Sequence, residues 1–173
     1  MRAGVALLAF AGVLLMGAQA AAQTPGDLNA RCVNAGRTFS HEEQVLACTR
    51  QISLPGISVQ SQAQYHNNRG NAFRANREYG SAIADYDEAI RLDPTYANAF
   101  NNRGIANRAA GLADRAVADF TAALRINPEM ASAYGNRGSA YADRGEISRA
   151  LSDFTRAIEL DQNFSNAYNN RGN

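Results

Sequence analysis

The sequence predicts an all-α fold: an α-solenoid of antiparallel helix pairs in 34-residue repeats, behind a cleavable signal peptide. Three observations predict it. The stretch Tyr65-His66-Asn67-Asn68-Arg69-Gly70 returns as Phe100-Asn101-Asn102-Arg103-Gly104, as Tyr134-Gly135-Asn136-Arg137-Gly138 and as Tyr168-Asn169-Asn170-Arg171-Gly172, with the four glycines evenly spaced. A fixed period of that size marks a repeat array rather than one globular core. Other positions keep the same register: Ala82, Ala116 and Ala150; Tyr86, Phe120 and Phe154; Ala89, Ala123 and Ala157; Pro94 and Pro128, with Gln162 in the third place. The stretch from Met1 to Ala22 stands apart from all of this.

Residues 1–22 read as an export leader. Arg2 supplies a positive start, Val5 to Met16 is a mostly apolar run, and Ala18-Gln19-Ala20 and Ala20-Ala21-Ala22 are small-x-small cleavage sites. The rival reading is an uncleaved anchor, for which the run falls short of the roughly 20 residues a span needs. No cysteine lies near the cleavage site, which argues against lipid modification. The leader has a bacterial character, so the mature chain is expected in the periplasm or outside the cell, with no membrane span after cleavage at Ala20 or Ala22.

Charge says little about partners. The 17 basic residues are all arginine, and without Arg2 the 16 that remain balance 16 acids. A neutral chain gives no reason to expect nucleic acid or an anionic membrane as partner. The two cysteines, Cys32 and Cys48, read as a disulfide in an exported chain. Free buried thiols are the alternative. With only His41 between them, the pair falls short of a four-ligand zinc site.

Residues 23–62 read as a degenerate helix pair and a linker. Asp27 is placed to cap a helix over Leu28 to about Asn34, which Gly36 stops. Ser40 caps a second helix, with Glu42 and Glu43 in its first turn where acids favour the dipole, and with Val45, Leu46, Cys48 and Ile52 on its apolar side. That helix ends before Pro55-Gly56, and Ser53 to Gln62 is read as linker. Aligning Ile52 with Ile90 puts Cys48 at the place of Tyr86, facing the helix that carries Cys32. A bond there would staple the end of the array and add about 3 kcal/mol in the chain-entropy model.

Residues 63–173 form the array, in repeats 63–96, 97–130 and 131–164 with a partial fourth at 165–173. The spaced glycine, alanine, aromatic and proline positions resemble the tetratricopeptide repeat, a helix–turn–helix unit, in its bacterial exported type. The resemblance implies helices A at about Gln64–Ala75, Asn98–Ala109 and Ser132–Asp143, and helices B at about Tyr79–Leu92, Leu112–Ile126 and Ile147–Leu160. Gly111 and Gly145 fall in the turns between them, and Pro94 and Pro128 end helix B by withholding a donor.

Helical arithmetic separates the faces of helix A. One arc holds Phe100 and Tyr134, the repeating glycines, and Phe73 or Tyr141. It must face helix B, and glycine there lets two backbones approach closely. His66 and Asn107 occupy aromatic positions of that arc and are expected to weaken local packing. Arg69, Arg103 and Arg137 lie at its edge, and Asp85, Asp119 and Asp153 at the edge of helix B, which predicts an Arg–Asp ladder. Anion recognition by stacked arginines is the competing reading.

The opposite arc is expected to line the concave face and hold a protein or peptide partner. Its candidate residues are Asn67, Asn68, Asn71 and Arg74; Asn98, Asn101, Asn102 and Arg108; and Ser132, Asn136, Ser139 and Asp143. Asparagine offers both donors and acceptors to an extended main chain; a solvated polar face is the plainer alternative. Some tetratricopeptide proteins clamp the C-terminal carboxylates of chaperones there. Of that pattern Asn71 and Asn102 match, but Asn67, Ser132 and Asn136 replace its three cations, so chaperone ligands are not implied.

No catalytic function is expected. His41 and His66 have no constellation for a triad or a metal site, and no phosphate-cradling loop or cofactor motif is present. The sequence thus points to an exported interaction scaffold, with an accessory or regulatory domain of a larger envelope enzyme or transport complex as the alternative. The sequence stops at Asn173 within a fourth helix A, which is expected to reflect truncation; otherwise the uncapped end offers a face for self-association.

Overall fold

The computed structural model describes residues 24–33 and 38–161 of the chain. The expected signal peptide, Gly36, Gln162 and the partial fourth repeat lie outside the described residues. Among the described residues there are eight α-helices and no strand: α1 Pro25–Val33, α2 His41–Ile52, α3 Val59–Ala75, α4 Tyr79–Leu92, α5 Ala97–Ala109, α6 Ala113–Ile126, α7 Ala131–Asp143 and α8 Ile147–Leu160.

The pairs α1/α2, α3/α4, α5/α6 and α7/α8 pack on themselves, and each second helix packs on the first helix of the next pair. First helices also touch one another, α1 to α3, α3 to α5 and α5 to α7, whereas among the described residues second helices do not. Helices on the inside of a bend approach and those on the outside splay. The stack therefore curves with α3, α5 and α7 inward, and the candidate residues lie on these three helices.

Each pair closes over a glycine. A Cβ placed at Gly70, Gly104 or Gly138 would come 2.7, 2.6 and 2.7 Å from the ring of Tyr86, Phe120 and Phe154 respectively. Those rings are buried and the next repeat's alanine covers two of them: Ala106 packs with Tyr86 and Ala82, and Ala140 with Phe120 and Ala116. The turn after α3, α5 and α7 recurs as well. Gly111 donates to Arg108 O and Leu112 to Asn107 O, a pattern repeated by Gly145 and Glu146 and by Arg77 and Glu78. Arg77 takes the left-handed conformation there, with φ 63°, without being glycine.

The N-terminal pair differs from expectation in two details. Thr24, not Asp27, caps α1: the Asp27 N–H donates to Thr24 Oγ1 while Asp27 Oδ2 accepts from the Thr24 N–H, and Pro25 takes the first helical position. The expected linker is shorter than Ser53 to Gln62, because Ser58 Oγ accepts from the Ser61 N–H and α3 starts at Val59. Ser40 caps α2 in a reciprocal box with Glu43. Cys32 and Cys48 are bonded, with their Cα atoms 4.7 Å apart, and both are fully buried beside Leu28 and Ala47.

Candidate partner-binding groove

The inner face is built from positions that a helix displays every three or four residues. Their sequence alone does not say which point into the groove and which into the seams between neighbouring first helices. Two asparagines turn into the seams. Asn67 is 4% exposed and Asn101 6%. Asn102 Nδ2 donates to Asn67 Oδ1 at 2.9 Å, and Asn136 Nδ2 donates to Asn101 Oδ1 at 3.1 Å. The expectation that Asn67 and Asn101 present their side chains to a partner is corrected. An amide buried between two helices must be satisfied there, and the neighbouring asparagine does it. Gly135 occupies the corresponding place in the third repeat.

The remaining candidates stay accessible. Asn98, Arg108 and Asp143 are exposed, and Asn68, Asn71, Arg74, Asn102, Ser132, Asn136 and Ser139 are half-buried. Asn71 Oδ1 accepts from the Tyr86 hydroxyl at 2.9 Å. Burial pushes the Tyr86 phenol up to about 12, against the pull of the Arg74 cation beside it. Arg108 and Asp143 face each other across α5 and α7, with Nε to Oδ2 at 2.6 Å and Nη2 to Oδ1 at 3.2 Å. Tyr86 is fully buried, as its position reads, but its hydroxyl supports Asn71 from beneath the groove, a contact that sequence reasoning missed. Tyrosine where Phe120 and Phe154 recur was the available signal.

The arginine ladder is internal. Arg69 donates from Nε and Nη2 to Asp85 at 2.8 and 2.7 Å, and Arg137 from the same two atoms to Asp153 at 2.7 and 2.8 Å. Arg103 donates from Nη2 to Asp119 Oδ1 at 2.6 Å and shares its Nε between the two oxygens at 3.1 and 3.2 Å. The third nitrogen of each reaches back to the preceding repeat: Arg69 to Thr49, Arg103 to Asp87 and Arg137 to Thr121. Each guanidinium thus joins its own helix pair and the one before. With its donors so engaged, the ladder is an intramolecular device, and anion recognition by it is set aside.

His66 and Asn107 belong to this network. His66 Nδ1 lies 2.9 Å from Asp85 Oδ1, and Asn107 Nδ2 donates to Asp119 Oδ2 at 2.8 Å. They add hydrogen bonds to the buried acids where the other repeats place a ring, although Asn107 Oδ1 is itself buried without a hydrogen-bond partner. At Asp85, burial raises the carboxyl's proton affinity, but the hydrogen bonds from Arg69 and His66 outweigh it and hold the group below the usual carboxylate range.

Among the described residues no group of three or more His, Cys, Asp and Glu side chains is placed to hold a metal ion, and no helix is long and apolar enough to cross a membrane.

This geometry is that of a helical-repeat solenoid with a polar inner face. Family models agree on the type of repeat: one described as TPR repeat matches residues 70–111, and one described as tetratricopeptide repeat matches residues 131–164. No curated protein sequence matches the chain. The second TPR domain of the human RPAP3 protein, solved in complex with the HSP70 peptide SGPTIEEVD, is 26% identical with a TM-score of 0.64, over 66% of this chain and 96% of that one. The Arabidopsis OM64 TPR domain is 25% identical with a TM-score of 0.64, over 66% of this chain and 95% of that one. MamA is similar in fold over a longer stretch, with a TM-score of 0.69 at 22% identity, over 83% of this chain and 81% of that one.

Proposed function

We propose that this chain is an exported interaction scaffold that holds an extended segment of a protein partner along the inner face of α3, α5 and α7. One observation carries the reading. The inner face bears a line of accessible amides in which Asn102 and Asn136 each spend one donor on the seam, while their amide oxygens make no hydrogen bond to described residues. Such a line suits main-chain groups spaced along a peptide. The peptide-bound RPAP3 domain supports the reading by analogy. Its acidic C-terminal ligand is not carried over, because Asn67, Ser132 and Asn136 stand where the family's clamp has cations. Export rests on the leader.

A photo-crosslinking residue at Asn98 or Asn68, in the native cell, should capture a discrete protein that the same residue at Arg156 on α8 does not. Equal capture from both faces would remove the groove from the proposal. Amino-terminal sequencing of the mature protein should begin at Ala21 or Gln23. A chain that still begins at Met1 and stays inside the cell would remove export.

A further inference from the structure

Arg74 and Arg108 hold the same place in successive repeats, each in the last turn of a first helix. Their surroundings differ. Arg108 is matched by Asp143, 35 residues on, and the two seam amide pairs share that separation. The same step from Arg74 arrives at Ala109, an exposed alanine that closes α5. No described carboxylate pairs with Arg74, and its Nε is buried without a hydrogen-bond partner. Glu78, four positions on, is occupied by Asn76 Nδ2 at 2.6 Å.

The floor beside Arg74 is also more polar than in the other two repeats. It carries Asn71 and the Tyr86 hydroxyl, where the second repeat has Ile105 and Phe120 and the third has Ser139 and Phe154. A half-buried cation with an orphaned donor costs stability unless something completes it. Within the chain, the adjoining repeat displays the group that does so.

We infer that Arg74, with Asn71 beside it, receives a carboxylate from the bound segment, in the place that Asp143 fills for Arg108. The inference rests on the groove reading above and adds the chemistry of one contact: an acidic side chain or a chain terminus. Arg108 is closed to such a ligand by its own acid, so the described inner face holds an open carboxylate site at Arg74 and a self-satisfied copy of it at Arg108.

The test is selection from random peptide libraries on the immobilised full chain, once with capped inserts and once with free carboxyl termini. Wild type should enrich peptides with Asp or Glu at a fixed place, or with a terminal carboxylate in the second library. Arg74→Gln removes the cation and Ala109→Asp supplies the missing acid from within, so neither should show that enrichment. Ala109→Asp should melt no lower than wild type, which separates lost binding from lost folding. A selected peptide should bind wild type about tenfold or more tighter than either variant, and its Glu→Gln form should lose the same factor. Enriched peptides without an acid, or with the same acid on all three proteins, would overturn the inference and leave the groove standing. A failure to enrich any peptide on wild type would overturn both.

Discussion

The contact between helices within a repeat is tightest at its glycine, and Gly104 tests it most cleanly. An alanine Cβ there would lie 2.6 Å from Phe120 Cε1 and 2.9 Å from Cδ1 and Cζ. The ring is fully buried and wedged against Ala116 and Ala140, so it has little room to retreat. Overpacking of this kind costs about 1–3 kcal/mol. Replacing glycine in a helix returns about 1 kcal/mol of backbone entropy. Gly104→Ala should therefore forfeit the gain that alanine brings at an open helical site and destabilise by up to about 2 kcal/mol, and Gly104→Val by more. Gly80 supplies the control, since a Cβ there meets nothing within 4 Å, and Gly80→Ala should be neutral or slightly stabilising. Phe120→Leu removes the ring edge, so adding Gly104→Ala to that background should cost less than in wild type, with a coupling of about 1 kcal/mol. Urea titrations followed by far-ultraviolet circular dichroism give all of these differences. If Gly104→Ala were more stable than wild type by the same margin as Gly80→Ala, or equally damaging with and without the Phe120 ring, the close-approach account of the repeating glycine would be wrong.

Three further outcomes follow from the network and the caps. Replacing Cys32 and Cys48 by serine should cost about 3 kcal/mol, and reductant should lower the melting point of wild type but leave the double variant unmoved; a wild-type melt indifferent to reductant would contradict a stabilising bond. Asp85 is held below its ordinary range in the folded state, so its contribution is present above the unfolded value near pH 4 and lost as pH falls through the folded value. The urea midpoint of wild type should drop in that acid window more steeply than that of Asp85→Asn, which should itself be weaker by about 2–4 kcal/mol at neutral pH because Arg69 loses its acid; parallel acid slopes would refute the assignment. Arg77 sits at φ 63° where Gly111 and Gly145 have 78° and 75°. Arg77→Gly should raise stability by up to about 1 kcal/mol, since the left-handed cost of roughly 1–2 kcal/mol exceeds glycine's entropy loss; a lower melting point would mean that the arginine side chain holds the turn.

Most of the architecture is legible because each repeat restates it. Tyr79–Leu92 and Ile147–Leu160 are bounded as the sequence predicts, since their buried alanines and rings recur in register. The first turn of α3 was hidden because Val59-Gln60-Ser61-Gln62 carries no apolar period, and only the Ser58 cap marks it. The Arg–Asp ladder could be predicted from residue types at matched edges, but not its third contact. The reach of Arg69 to Thr49 depends on how one pair sits on the next, which a single helical wheel does not describe. The same limit accounts for Asn67 and Asn101, since the helical period separates the partner-helix side from the far side and leaves the seam between repeats unmarked. The mark was present in another form, as a spacing of 35 residues joining Asn67 to Asn102, Asn101 to Asn136 and Arg108 to Asp143.

That spacing also separates two uses of arginine in one small array. At the ladder, every repeat supplies its own acid 16 residues after the cation, so Arg69, Arg103 and Arg137 are satisfied wherever the repeat is copied. On the inner face the acid must come from the following repeat, and satisfaction depends on what that neighbour carries. A substitution at a single inner position can open or close a cation without touching the core, as the contrast between Ala109 and Asp143 illustrates. Ladder residues are then constrained by folding, whereas inner-face residues are constrained by their neighbour and by whatever binds. For this reason Ala109→Asp is the more informative change: it should leave the ladder, the seam amides and the Gly104 contact undisturbed, while altering the charge balance at Arg74 that a bound segment would meet.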